Sequence, residues 1–330
     1  MSRVLITGAG GLIGKDLVLS QLDRGHQVRA LDLNVASLKP FVERANLEIV
    51  TGDLTDSSSI AAIVTEVDVV YHLASAHLDP GLSDSEYFRV NVTATRQLLE
   101  EAQKAGVGRF VHCSSNGVFG RIERLPANEA TPCRPTNIYE RTKLLGEQEA
   151  LAIFRKCRFP VVVARPSWVI GPSCPRTVRL MRAVFHGRFV VFGSGRTLRH
   201  PIYITDAVRG LELCALRGKP GEVYLLAGEK PVTVTELVET IASLRGLRLP
   251  SVRLPIFFGL AAAFLLQVAC ELLRRRAPFT VRTLDFFIKN NAYDISKARR
   301  ELGFVPSVTL REGLEKSLAA LPQEAGLESG

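Results

Sequence analysis

The sequence predicts an α/β protein, a doubly wound parallel sheet with a smaller C-terminal α/β region. Three observations carry that expectation. A short apolar run, Val4-Leu-Ile6, passes straight into a glycine-rich turn and then into a helical pattern, as a buried parallel strand does at the start of a βαβ unit. Similar runs recur through the first half of the chain, each ending in polar residues. With 330 residues and 46% hydrophobic content the chain can bury a large core and is not extensively disordered.

The turn after the first strand reads Thr7-Gly-Ala-Gly-Gly-Leu-Ile-Gly14, with Gly8, Gly11 and Gly14 spaced three apart and a helix expected over Lys15 to Leu22. Strand, glycine turn and helix in this order bind a dinucleotide. The glycines let the backbone approach a pyrophosphate, which sits on free N–H groups at the helix N-terminus. Gly8, Gly11, Leu12, Ile13 and Gly14 are the candidate contacts. The second strand, His26 to Asp32, ends in an acid eighteen residues beyond Gly14. A carboxylate there accepts hydrogen bonds from ribose hydroxyls and repels a 2′-phosphate, which favours NAD. Arg29 and Lys39 stand near enough in sequence to weaken that preference.

Further strands follow in order. Leu47 to Asp56 reads as the third, with Asp53 and Leu54 at an end that can hold adenine. Val67 to Ala76 reads as the fourth, with Ala74 and Ser75 small enough to let a ligand pass. Tyr87 to Ala105 has a helical pattern. Arg109 to Ser115 is the fifth strand and opens into Asn116-Gly-Val-Phe-Gly120, and Val161 to Pro166 is the sixth. The polar residues collect at the C-terminal strand ends, where open α/β sheets bind ligands. Between the fifth and sixth strands, Tyr139 and Lys143 stand four apart in a helical pattern that begins after Asn137. That spacing puts both on one helix face. A neighbouring ammonium favours the phenolate, so the pair predicts a lowered tyrosine pKa and a tyrosine able to act as general base or acid.

Taken together, these segments resemble the extended short-chain dehydrogenase/reductases of the NAD-dependent epimerase/dehydratase type, whose fold is Rossmann-like. The motifs are T-G-x-x-G-x-x-G (Thr7 to Gly14), G-D-L-x-D (Gly52 to Asp56), H-L-A-S (His72 to Ser75), S-S-x-x-V-F-G (Ser114 to Gly120), Y-x-x-x-K, and A-R-P-S-x-x-x-G-P (Ala164 to Pro172). The resemblance implies an NAD-binding domain over 1–170 and a mainly substrate-binding region over 171–320 that returns in part to the sheet; the residues over 321–330 read as a flexible tail. It implies a catalytic set of Ser115, Tyr139 and Lys143, with Pro166 also at the cofactor, and a homodimer through the Tyr139 helix and the helix after Asn91. In that set Tyr139 takes the proton of a secondary alcohol, Ser115 holds the substrate oxygen, and Lys143 holds the nicotinamide ribose. Phe119 stands where the family more often has tyrosine. Dehydratases of the family carry an Asp-Glu pair directly after the catalytic hydroxyl, where this chain has Asn116 and Gly117, so oxidoreduction or epimerisation is expected rather than loss of water.

The second half speaks to the substrate. Asn116, Trp168 and Arg199 are the candidate substrate contacts. Arg199 matches a phosphate-binding arginine of nucleotide-sugar enzymes, or else is a solvated basic residue. The apolar stretch from Leu254 to Cys270, followed by Glu271-Leu-Leu-Arg-Arg-Arg276, points to a greasy substrate. At 1.5 Å per residue it reaches roughly 25 Å, short of the ~30 Å of a bilayer core. Residues 254–276 therefore read as a helix lying in a membrane interface, or as a buried helix lining the pocket. The C-terminal half resembles the 3β-hydroxysteroid dehydrogenase and sterol-4α-carboxylate dehydrogenase branch. These features favour an apolar, sterol- or isoprenoid-like alcohol. A nucleotide-sugar 4-epimerase or ketoreductase is the second reading, and a dinucleotide-binding scaffold without turnover the third. The net charge of +9 suits an anionic membrane surface. Nucleic acid is not an expected partner, because the basic residues are scattered with no recognition motif. Six cysteines without a C-x-x-C or a metal-ligand cluster read as reduced thiols of a cytoplasmic protein, and no metal is expected. The chain enters a strand at once, so no cleavable signal is expected.

Overall fold

The fold is taken from a computed structural model that describes residues 1–77, 81–248, 253–272 and 281–320. Seven parallel strands form its centre: β1 (Arg3–Thr7), β2 (Gln27–Asp32), β3 (Leu47–Thr51), β4 (Val69–His72), β5 (Arg109–Cys113), β6 (Val161–Pro166) and β7 (Val223–Leu226). Their order is β7-β6-β5-β4-β1-β2-β3. The chain runs outward from β1 to β3, then restarts on the other side of β1 with β4. This reversal leaves a crevice at the C-terminal ends of β1 and β4, where Thr7 and His72 are register partners and where such sheets bind ligands.

Period-two alternation explains why the sheet is covered on both sides. Val4 and Ile6 of β1 join a core with Leu17, Val18 and Leu22 of α1 (Leu12–Asp23), and with Ala207 and Leu211 of the Ile204–Arg217 helix. Leu5, between them, faces a second core with Leu98 and Leu99 of α2 (Thr95–Lys104) and Ala150 of α3 (Ile138–Cys157). The helix α3 starts where the Asn137 side chain accepts from the Glu140 amide and stops where Arg158 turns left-handed (φ 59°). A bidentate ion pair between Glu147 and Arg165, with Arg165 Nε donating at 2.9 Å and Nη2 at 2.5 Å, fastens α3 to β6. Both residues are buried.

The single helix expected over Tyr87 to Ala105 is in fact three pieces. A turn-and-a-half of α-helix (Asp84–Phe88) leads into a π-helical stretch (Arg89–Ala94), then α2. Asn91 lies in the π stretch and its side chain bonds away from the helix, to both polar atoms of the Ala76 backbone and to Thr142 of α3. A widened turn at such a bonding residue is a recurrent mark of a site.

After β6 the chain builds short two-residue pairings. Val169–Ile170 pairs parallel with Ile202–Tyr203, Leu198–Arg199 antiparallel with Val232–Thr233, and Val191–Phe192 parallel with Arg253–Leu254. A third apolar cluster, with Met181, Val184, Phe185, Leu237, Val238 and Ile241, underlies them. The apolar stretch forms the Ile256–Leu272 helix. Among its described side chains it buries only Gly259 and Ala263, while Phe257, Phe258, Phe264, Leu265 and Val268 are exposed. The expectation of a buried helix lining the pocket is therefore not met. Among the described residues no helix is long and apolar enough to cross a membrane. Arg274, Arg275, Arg276 and the tail over 321–330 lie outside the described residues.

The last segment is held by one buried carboxylate. Asp206, 1% exposed, accepts from the Ser307 amide at 3.0 Å, from the Ser307 hydroxyl at 2.8 Å and from the Val308 amide at 3.0 Å. Removing it leaves the Ser307 and Val308 amides without the acceptor that fixes this turn. Asp206→Ala is expected to destabilise the protein by roughly 2–4 kcal/mol, read as a lower melting temperature. An unchanged melting temperature would show that water replaces the carboxylate without cost.

Candidate active site

The glycine turn fits a close-lying ligand. Gly8 has φ 71°, and a side chain there would meet the Ala74 amide nitrogen at 2.6 Å, while a Cβ at Gly14 would collide with the Gly8 carbonyl. The turn is thus drawn tight against the end of β4. Helix α1 begins at Leu12 with no side chain capping it, so its first N–H groups are open to an anion. Asp32 is set by two backbone bonds: Oδ2 accepts from the Gly10 amide and Oδ1 from the Asn34 amide, both at 2.9 Å. Ser37 Oγ donates to the Gly10 carbonyl and closes the same loop. Arg29 points elsewhere. It pairs with Glu48 at 2.8 Å and donates to the Ile63 carbonyl, which removes it as a rival to Asp32. Asp53 Oδ1 accepts from the Thr55 amide, and Leu54 is buried beside it. Pro166 is buried at the end of β6.

Behind the loop runs a chain of buried hydrogen bonds. Thr7 Oγ1 and His72 Nδ1 are 2.8 Å apart, and His72 Nε2 and Thr95 Oγ1 are 2.9 Å apart. Thr95 Oγ1 donates to the Asn91 carbonyl, and the Ala74 amide donates to Thr7 Oγ1. These partners leave one consistent assignment: Thr7 donates to Nδ1, and His72 donates from Nε2 to Thr95. From Asn91 the chain reaches Thr142 Oγ1, which donates to the Ile138 carbonyl at the start of α3. His72 must be neutral for this, and burial pushes its pKa down to about 3.

The three expected catalytic residues come together only in part. Ser115 Oγ accepts from the Gly117 amide at 3.0 Å, and its hydroxyl is near enough to the Tyr139 phenol to work against the rise in the phenol's pKa. Lys143, 4% exposed, donates instead to the Cys113 carbonyl at 2.6 Å. The lowered tyrosine pKa expected from the Tyr139–Lys143 spacing is not found. Loss of water around the phenol raises it, and the Ser115 hydroxyl and the nearby Arg176 oppose that rise. Burial lowers the pKa of Lys143. The cation acting on the phenol is therefore Arg176, which no motif in the sequence marks. His77 was missed as well: its ring meets Tyr139 edge-on at 4.8 Å.

Arg176 also connects the phenol to the second region. Its guanidinium lies 5.8 Å from the Trp168 ring, and with Trp168, Arg199, His200, Phe286 and Tyr293 it lines a cavity of about 40 Å³. Arg199 is not a solvated residue. It is 7% exposed, donates to the Asp285 and Phe286 carbonyls, and lies 4.6 Å from the Phe286 ring. Burial lowers its pKa to about 10, and Arg176 adds to the effect. Asn116 is buried with neither of its side-chain polar atoms bonded, and Trp168 Nε1 is likewise buried without a partner. Around this cavity stands an aromatic layer. Phe286 meets Trp168 at 6.0 Å and Phe287 at 5.3 Å, and Phe287 meets Phe192 at 5.5 Å. Phe119, in place of tyrosine, stacks on Tyr293 at 6.0 Å.

Comparison with known proteins fits this geometry. The model of the NAD dependent epimerase/dehydratase family matches residues 4–227. The chain belongs to that family. Among its relatives is the 3 beta-hydroxysteroid dehydrogenase/Delta 5-->4-isomerase of Mycobacterium tuberculosis, 31% identical over 96% of this chain and 90% of that protein. The dTDP-glucose 4,6-dehydratase of Streptomyces niveus is also 31% identical, over 96% and 91%. Among solved structures, MoeE5 in complex with UDP-glucuronic acid and NAD has a TM-score of 0.75 at 29% identity, covering 96% of this chain and 98% of that one. The protein is thus an extended member of a family of NAD-dependent enzymes, with a Rossmann-like sheet at its centre.

Three buried histidines make the site's stability depend on pH. Burial lowers His72 to about 3, His200 to about 4, and His112 well below its ordinary value. In the unfolded chain each takes up a proton near pH 6.5. Between about pH 6.5 and 4 the unfolded state therefore binds more protons, and stability falls as pH falls. At pH 5 His72 and His200 each cost about 2 kcal/mol, and His112 acts in the same direction. The melting temperature should drop steadily from neutral pH to pH 5; a flat profile would mean that these rings are charged in the folded protein.

Proposed function

We propose that the protein is an NAD-dependent oxidoreductase that interconverts a secondary alcohol and a ketone on an apolar, sterol- or isoprenoid-like substrate. The observation that carries the substrate class is the aromatic layer of Trp168, Phe286, Phe287 and Phe192 around the cavity that Arg176 lines. A relative named as a steroid dehydrogenase supports it.

In this reading residues 1–170 hold the cofactor and 171–320 close over the substrate. The N–H groups opening α1, with Gly8, Gly11, Leu12, Ile13 and Gly14, receive the pyrophosphate. Asp32 takes the ribose hydroxyls, Asp53 and Leu54 flank the adenine, and Ala74, Ser75 and Pro166 line the path to the nicotinamide. Bound there, the nicotinamide supplies the hydride acceptor. The chain's own groups handle the proton. Tyr139 Oη takes it from the substrate hydroxyl, and Ser115 Oγ holds the substrate oxygen. Arg176 and the Ser115 hydroxyl favour the phenolate against the pull of burial. Lys143 Nζ, held by the Cys113 carbonyl, is placed to turn to the ribose. Positions 116 and 117, Asn and Gly, offer no acid or base for eliminating water.

A nucleotide-sugar 4-epimerase or ketoreductase is the second reading, favoured by the two guanidiniums at one cavity, Arg176 and Arg199, and by relatives that act on such sugars by name. The bonds of Arg199 to the Asp285 and Phe286 carbonyls weigh against it, since they already engage the group that would grip a diphosphate. Apolar secondary alcohols incubated with NAD and followed by NADH absorbance, and nucleotide sugars followed by analysis of the product sugar because epimerisation returns the hydride and accumulates no NADH, separate the two. Tyr139→Phe should lower turnover by ~10² to 10⁴ while NAD binding persists. Near-wild-type turnover in that variant would falsify the role of Tyr139.

The protein is further proposed to work as a homodimer through α2 and α3, which sedimentation measures directly, and to rest on a membrane surface through the Ile256–Leu272 helix. The exposed side chains Phe257, Phe258, Phe264 and Leu265 suit acyl chains, and the Arg274 to Arg276 run that follows in the sequence suits anionic headgroups. Wild-type protein should co-sediment with anionic vesicles. Replacing Phe257, Phe264 and Leu265 by Ser should weaken that binding roughly tenfold for each half-exposed side chain lost. Equal pelleting of wild type and triple variant would remove the membrane from the picture.

A further inference from the structure

The aromatic layer behind Trp168 does not end at the cavity it lines. Phe189 stands 6.4 Å from Phe286 and 5.9 Å from Phe287. On another side Phe189 lines a second cavity, of about 190 Å³, together with Val184, Phe185, Ala242, Leu247 and Arg248. The two spaces are thus separated by a pair of rings, Phe189 on one side and Phe286 on the other. Both belong to one apolar body, since Val184, Phe185 and Ala242 are members of the cluster against which Trp168, Phe189 and Phe286 pack. Among the described residues that line it, the second cavity has no buried charge, and Leu247 and Arg248 are exposed. Its volume is below the roughly 300 to 1,000 Å³ of a pocket that encloses a whole drug-sized ligand. It suits a part of one.

We propose that this cavity receives the apolar tail of the substrate whose hydroxyl is held at Tyr139 and Ser115, with the Phe189 ring turning aside to join the two spaces. The inference rests on the alcohol reading above and adds a site for the end of the molecule that does not react. Phe189 is placed for such a movement. It follows the surface turn at Gly187 (φ 64°) and Arg188, and it precedes the exposed Val190, so a change in its side-chain angle need not disturb a strand or a helix. A tail left in water gains nothing, whereas a tail drawn between Phe189, Val184 and Ala242 leaves most of its water behind. Hydrophobic burial then selects substrates by length.

The test uses a series of secondary 2-alkanols of increasing chain length with NAD, on the wild-type protein and two filled variants. Leu247→Trp fills the cavity from an exposed position, and Ala242→Met fills its depth, its folding checked by thermal melting. In the wild type, kcat/KM should rise about fourfold for each methylene buried, then level off once the cavity is full. The variants should flatten that rise for long alcohols and leave the shortest within about twofold. A wild-type enzyme indifferent to length, or variants with the wild-type length profile, would overturn the proposal. A turnover-free readout keeps it separate from the alcohol reading. A long-chain probe whose fluorescence rises in apolar surroundings should bind wild type and be lost from Leu247→Trp; equal binding to both also overturns it. If no alcohol is oxidised but the probe is lost from the variant, the alcohol reading fails and the tail site stands.

Discussion

Pairing every buried polar atom at the crevice between β1 and β4 is the constraint on which the rest of this molecule hangs. Thr7, His72, Thr95, Asn91 and Thr142 are all buried, and each unpaired atom there would cost the price of its desolvation. The chain of bonds that satisfies them runs in one direction, from the Ala74 amide through both ring nitrogens of His72 to the Thr95 hydroxyl and the Asn91 carbonyl. It continues through the Asn91 amide to the first turn of α3. The loop expected to meet the cofactor and the helix carrying Tyr139 are thereby held to the same strand end. The π stretch at Asn91 is the local distortion that lets one side chain reach both.

The electrostatics of the site follow from the same dryness. The phenol of Tyr139, the ammonium of Lys143 and the rings of His72 and His112 are all pushed by burial toward their neutral forms. Charge is supplied from outside this core, by Arg176 on the helix that follows β6. The second region therefore does two things at once. It supplies a cation that opposes the rise at the phenol, and it lays an aromatic layer around the cavity which that cation lines.

Much of this was legible in the residue order. The glycine spacing, Asp32 at the end of a strand, and Tyr139 four before Lys143 are local patterns, set by contacts within a few residues, so one dimension suffices to read them. The doubly wound sheet followed from the same kind of evidence, because each strand is a short apolar run ending in polar residues. The break in the helix before α2 was not legible, since it depends on Asn91 meeting Ala76 and Thr142, fifteen and fifty-one residues away. The raised pKa of Tyr139 was not legible either. Helical spacing places Lys143 beside it, but a carbonyl from β5 takes the ammonium.

The sequence by itself determined the family and the sheet and singled out the candidate reactive side chains, because those are written in short-range patterns with fixed spacing. Only the tertiary structure decided what surrounds them. Arg199 could be a solvated residue or a buried one until its carbonyl partners at Asp285 and Phe286 were known. Arg176, Phe189 and His77 carry no motif at all. The apolar stretch after Leu254 could be interior or surface, because hydrophobicity gives the wish to leave water but not the place to go. Among its described side chains, packing through Gly259 and Ala263 alone left large ones outside. Burial, partner choice and the shape of a cavity arise from residues far apart in the chain, and there the order of residues is silent.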